Sequence, residues 1–167
     1  MKTLLILRHA KSSWEDSSLS DFERPLNERG MKTAPFIGGI LLENKLQPDV
    51  ILSSPALRAS QTALLVKEAG GLEAEIQFND RIYEASPFHL LEIVTATPAS
   101  AGSLMLIGHN PGMEGLLKLL TGETHNIPTA GLIKVRLNVV NWADVHNDCG
   151  AIEMFIRPRE EMKASRA

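Results

Sequence analysis

The chain alternates short, continuous apolar runs with longer stretches in which apolar residues recur at helical spacing. Thr3 to Leu7, Val50 to Leu52 and Leu104 to Ile107 are runs of the kind found in strands buried on both faces. Ile76 to Phe78 reads as a shorter strand, and Thr129 to Val140 and Ala151 to Ile156 as two later ones flanking a polar turn, Asp144 to Gly150. Between them lie helical patterns. Asn27 is placed as an N-cap for a helix through Ala34, Ile37, Leu41 and Leu42, although Pro35 fits only near its first turns and Gly38-Gly39 weakens the pattern. Ser54-Pro55, Ser86-Pro87 and Asn110-Pro111 each read as a cap followed by a proline at the first helical position. Gly70-Gly71 marks a stop, and Arg8 to Asn27 reads as a polar loop. Strands alternating with helices over the first 120 residues imply βαβ units. The expected fold is a single three-layer α/β domain with a mostly parallel central sheet and helices on both faces. It spans residues 1–157, with a charged C-terminal tail, 158–167, solvated or frayed.

Composition narrows the class. With 167 residues, 44% hydrophobic and 22% charged, the chain suits one globular domain and excludes disorder as its main state. Seventeen basic against twenty acidic residues give a net charge of −3, which argues against nucleic-acid binding as the main task. The N-terminal apolar run is cut off by Arg8 and His9, shorter than the roughly 7–15 residues of a secretory core. No run approaches the ~18 residues of a membrane span. A cytoplasmic protein is the expectation. One cysteine, Cys149, permits neither an internal disulfide nor a cysteine-based metal cluster.

Three strand ends carry the chemistry. The first apolar run leads into Arg8-His9, the second into Ser53-Ser54-Pro55 with Arg58 close behind, the third into Gly108-His109-Asn110. If the strands are parallel, these segments project from one sheet edge, where open α/β sheets bind ligands. Two arginines, two histidines and two helix N-termini would converge there, a set suited to a dianion. Neither histidine lies in a metal-binding spacing, and two arginines would repel a divalent cation. Phosphoryl transfer without metal or other cofactor is the chemical expectation.

These residues also carry a resemblance. Leu-Arg-His-Ala at 7–10 resembles the Arg-His-Gly signature of the histidine phosphatase (phosphoglycerate mutase-like) superfamily. Ser53 to Thr62 is similar to its second motif, Gly108-His109-Asn110 to its third, and Arg24-Pro25-Leu26 with Gly30 to a further shared segment. The match runs from residue 3 to about residue 115, and the short Arg-His-Ala-Lys-Ser-Ser-Trp opening looks most like the SixA-type phosphohistidine phosphatases. Ala10 departs from the usual glycine, which would add strain if the position needs positive φ. The resemblance implies that His9 is the nucleophile, and that Arg8, Arg58 and His109 hold the transferring group. Glu84 stands where relatives carry an acid, with general acid as its implied role. Arg24 is left between phosphate contact and anchoring of the loop.

The implied function is a metal-independent phosphatase acting through phosphohistidine on His9, with a phosphorylated protein such as a phosphotransfer domain as substrate. A phosphatase of small phosphate esters is the first alternative. A non-catalytic phosphate-dependent binding module is the second, although it has no use for His9 and His109 together. Ser54 is read only as a helix cap, His89, His125 and His146 as surface histidines, Cys149 as structural, and Trp14 and Trp142 as packing residues. A rim position for Trp14 is the lesser option.

Overall fold

Leu4 to Leu7 lie fully inside the protein, within the strand β1, Lys2–Arg8, of a computed structural model that describes residues 1–166. Leu4 and Ile6 enter one apolar core and Leu5 and Leu7 the other, so both faces of the strand must be apolar. The other strands are β2, Val50–Ser53; β3, Ile76–Phe78; β4, Ser103–Gly108; β5, Leu132–Leu137; and β6, Gly150–Ile156. They form one sheet in the order β3-β2-β4-β1-β5-β6. The β3-β2, β2-β4 and β4-β1 pairings are parallel, and β1-β5 and β5-β6 antiparallel. In register, Arg8 faces Gly108, and Ser53 faces Ile107. The carboxyl ends of β1, β2 and β4 therefore lie side by side, as the sequence implies.

Helices cover both faces. Ala34, Ile37 and Leu41 of α1, Glu28–Glu43, share one core with Ala59, Ala63 and Val66 of α2, Leu57–Gly70. Leu90, Ile93 and Val94 of α3, Pro87–Thr95, share the other with Met113, Leu116, Leu117 and Leu120 of α4, Gly112–Thr121. Asn27 caps α1 through the Gly30 N–H, Ser86 caps α3 through that of His89, and Gly71 ends α2 at φ 59°.

Several expectations are corrected. Pro35 lies well inside α1, not in its first turns. It removes one helical hydrogen bond, but the buried face on either side of it carries the helix through. Gly38 belongs there because a Cβ would lie 2.7 Å from both the Val66 carbonyl oxygen and the Ala69 Cβ, so glycine permits the close α1–α2 approach. Helix α2 is capped at Ala56, not Ser54, and α4 at Pro111, not Asn110. Both polar residues are drawn into the site described below. The strand expected over Thr129 to Val140 is shorter, because Ala130 takes φ 58° and donates its N–H to the His9 carbonyl. The segment from Pro158, expected as a solvated or frayed tail, is helix α5, Pro158–Arg166, beside α1; Ala167 lies outside the described residues. Trp142 is buried and donates to the Ala101 carbonyl, but Trp14, expected to pack, is 73% exposed.

Candidate active site

The nucleophile candidate is fixed by its own neighbour. His9 follows β1 and is 7% exposed. Its Nδ1 lies 2.7 Å from the Ala10 carbonyl oxygen. A carbonyl only accepts, so Nδ1 carries the proton and Nε2 keeps the lone pair. Burial above all, with smaller contributions from His109, Arg58 and Arg8, pushes the ring down to about 3, so it is neutral at pH 7. Ala10 does not take positive φ and carries no backbone strain on that account. Its N–H donates to Thr62 Oγ1, whose hydroxyl donates to the Arg58 carbonyl, tying the segment after His9 to α2.

His109 follows β4, with its ring 5.1 Å from that of His9. Nε2 lies 2.8 Å from Ser54 Oγ, which also accepts from the Ala56 N–H. The Ser54 hydroxyl can donate to Nε2, and the proton of neutral His109 is then on Nδ1. Burial, then Arg58, lowers this ring to about 4. Ser54 is thus an orienting partner of His109, not the helix cap expected.

The two arginines are held differently. Arg8 Nη1 donates to the Ile127 carbonyl at 2.9 Å, and burial lowers its pKa from the ordinary value. Asn110 Nδ2 donates to that same carbonyl and to Glu114 Oε1, which also accepts from the Ile127 N–H. Arg58, 7% exposed, gives Nη1 to the Asp21 carbonyl at 2.6 Å and Nη2 to Asp21 Oδ2 at 3.0 Å. Asp21 further accepts from Tyr83 Oη at 2.6 Å and Arg24 Nη1 at 3.0 Å. The Tyr83 bond first, with those of Arg58 and Arg24, holds its carboxyl down at about 2. Burial and Asp21 push Tyr83 up to about 12.

Arg24 spends Nε on the Ser13 carbonyl, Nη2 on Ser12 Oγ and Nη1 on Asp21, with the Trp14 ring 3.2 Å from its guanidinium carbon. These are the contacts of a loop anchor. Glu84 is exposed, takes φ 54°, and lines a cleft of about 550 Å³ together with Asp21, Arg58, Tyr83, His109 and Asn110. A groove of about 680 Å³ between α1 and α5 holds none of the converging residues.

Among the described residues, four buried side-chain nitrogen or oxygen atoms lack a partner, and three of them are Arg8 Nε, His109 Nδ1 and Asn110 Oδ1. Buried polar atoms are normally satisfied, so this clustering marks a polar site whose donors suit an oxyanion. No group of three or more His, Cys, Asp or Glu among the described residues is placed to hold a metal ion, and none of their helices is long and apolar enough to cross a membrane. Asp21 and Tyr83 are the site residues that the sequence did not single out, while Ser54 was read only as a cap. The only advance sign was an acid three residues before Arg24.

A model of the histidine phosphatase superfamily (branch 1) matches residues 4–97. An uncharacterised protein of Mycobacterium tuberculosis is 31% identical over 164 residues, 92% of this chain and 100% of that protein. The crystal structure of a protein assigned as the phosphohistidine phosphatase SixA from Agrobacterium tumefaciens is 30% identical with a TM-score of 0.82, covering 94% of this chain and 98% of that one. The protein histidine phosphatase SixA complexed with tungstate has the same fold at 23% identity, with a TM-score of 0.82 over 95% of this chain and 99% of that one.

Proposed function

The chain belongs to the histidine phosphatase superfamily, and from that premise we propose that it removes a phosphoryl group by way of a phosphohistidine on His9, its substrate being phosphohistidine on a protein. The observation that carries this reading is the state of His9. It is a neutral ring, its tautomer pinned by the Ala10 carbonyl, with its Nε2 lone pair free and Arg8, Arg58 and His109 around it. In the proposed reaction, Nε2 attacks phosphorus in line with the leaving group. Arg8 Nε, His109 Nδ1 and the remaining Arg58 N–H groups meet the developing charge on the phosphoryl oxygens. Such positioning and charge stabilisation are most of what phosphoryl transfer requires. Water then cleaves the N–P bond and returns His9 to its starting state. No step calls for a metal ion.

The protein substrate is supported by the shape of the chain around the cleft. Between α2 and β4 lie only β3, a helical turn at Asp80–Ile82 and α3, too little chain for a deep lid. A docked protein also supplies binding energy remote from the phosphoryl group, which can position it. The second reading, a phosphatase of small esters, is favoured by Glu84 on the cleft wall, where it could hand a proton to an alkoxide. A competition assay separates the two. A phosphohistidine domain should exceed any common phosphate ester in kcat/KM by at least about tenfold, or about 1.4 kcal/mol. An ester consumed as readily would favour the second reading.

A further inference from the structure

Asp21 lies on the wall of the cleft beside the phosphate-binding residues Arg58 and His109. Its Oδ2 accepts from Arg58 and Tyr83 and its Oδ1 from Arg24, while its side chain remains 47% exposed and lines the cleft with Arg58, Tyr83 and His109. Three donors, two of them cationic, fix the carboxylate in place and in charge, and its low pKa rules it out as a proton donor at neutral pH. Tyr83 is itself wedged edge-on against the rings of Phe22 and His109, at 5.1 and 5.5 Å. The wall of the cleft next to the phosphoryl position therefore carries a fixed carboxylate, its charge partly offset by Arg24 and Arg58. A loop closed on itself by the Ser12–Leu26 bridge supplies it, and Glu84 adds a second acidic side chain.

We propose that Asp21 makes the site selective for a substrate whose departing ring is positively charged until the P–N bond breaks, a ring-protonated phosphohistidine, over esters whose leaving group bears a carboxylate. The inference rests on the phosphatase reading above. A phosphohistidine protonated on its second ring nitrogen carries positive charge on the ring. His9 Nε2 forms the new N–P bond as the old P–N bond breaks. That electron pair returns to the substrate ring, which leaves as neutral imidazole and keeps its proton. The transition state retains part of the ring's charge beside Asp21. A phosphoglycerate instead brings a carboxylate to the same wall and is repelled.

The test compares kcat/KM for a phosphohistidine peptide and for 3-phosphoglycerate in the wild type, Asp21→Asn and Tyr83→Phe. Any misplacement of Arg58 weakens the grip on both phosphoryl groups and cancels in the ratio. Asp21→Asn should lower the peptide-to-phosphoglycerate ratio by about three- to tenfold, the scale of one half-exposed charge interaction. Tyr83→Phe, which keeps the charge, should leave the ratio within about twofold of the wild type. An unchanged ratio in Asp21→Asn, or an equal change in Tyr83→Phe, overturns the proposal. Asp21→Ser provides the same comparison should the amide variant not fold. Calorimetric binding of inorganic phosphate and 3-phosphoglycerate reads the charge effect without turnover. Asp21→Asn should strengthen 3-phosphoglycerate relative to phosphate, and no relative change counts against Asp21. A wild type that turns over neither substrate would defeat the phosphatase reading, and the binding ratio would still decide the role of Asp21.

Discussion

His9 and His109 remain neutral because they are buried more than because arginines lie near them. Proximity of Arg8 and Arg58 is the smaller contribution for His9. With the two rings at about 3 and about 4, neither takes up a proton between pH 7 and pH 5. Their titration should therefore leave kcat/KM unchanged over that range, and an acid limb near pH 6.5 assigned to His9 by its loss in a variant would contradict this. Stability follows the opposite course. Both folded values lie below the unfolded value of about 6.5, so the unfolded chain binds protons that the folded chain does not. The urea midpoint should fall as pH drops from about 6.5 towards 4, and His109→Asn should flatten that fall. Ser54 provides a separate check. Ser54→Ala leaves the half-buried His109 Nε2 without its partner, which costs about 1 kcal/mol of stability. By loosening the ring it should also lower kcat/KM by roughly tenfold, or about 1.4 kcal/mol. Full activity would make Ser54 a bystander.

Among the elements, the strands were legible and the helix starts less so. Continuous apolar runs at Leu4–Leu7 and Leu104–Ile107 are demanded by burial on both faces, and no other local structure explains them so simply. The cap-then-proline pattern held at Ser86-Pro87 but not at Ser54-Pro55 or Asn110-Pro111. There a more distant partner claims the side chain: His109 for Ser54, Glu114 and the Ile127 carbonyl for Asn110. Gly38 looked like a helix breaker because its neighbour in space, the Val66–Gly70 turn of α2, is some thirty residues away in sequence. Gly38→Ala should destabilise the fold by about 1–3 kcal/mol through overpacking, read as a lower urea midpoint. Activity below the transition should persist, since α1 supplies no group to the site. A variant as stable as the wild type would show that the two helices can separate at little cost.

At the level of the whole molecule, parallel pairing of β1, β2 and β4 brings Arg8-His9, Ser54 to Arg58 and His109-Asn110 to one edge. That much follows from strand order, and the sequence carried it. Asp21 and Tyr83 did not show, because their roles depend on contacts 37 and 62 residues apart, from Asp21 to Arg58 and to Tyr83, made by a loop whose path no periodicity describes. The central claim concerns His9 and can be met directly. The protein is mixed with phosphoryl-labelled substrate in the presence of a chelator, quenched during turnover, and mapped by peptide. The expected result is label on His9, stable to base and lost in acid as a phosphoramidate is, formed despite the chelator and missing from a folded His9→Ala variant that no longer turns over. Label on another residue, or turnover undiminished in His9→Ala, would contradict it.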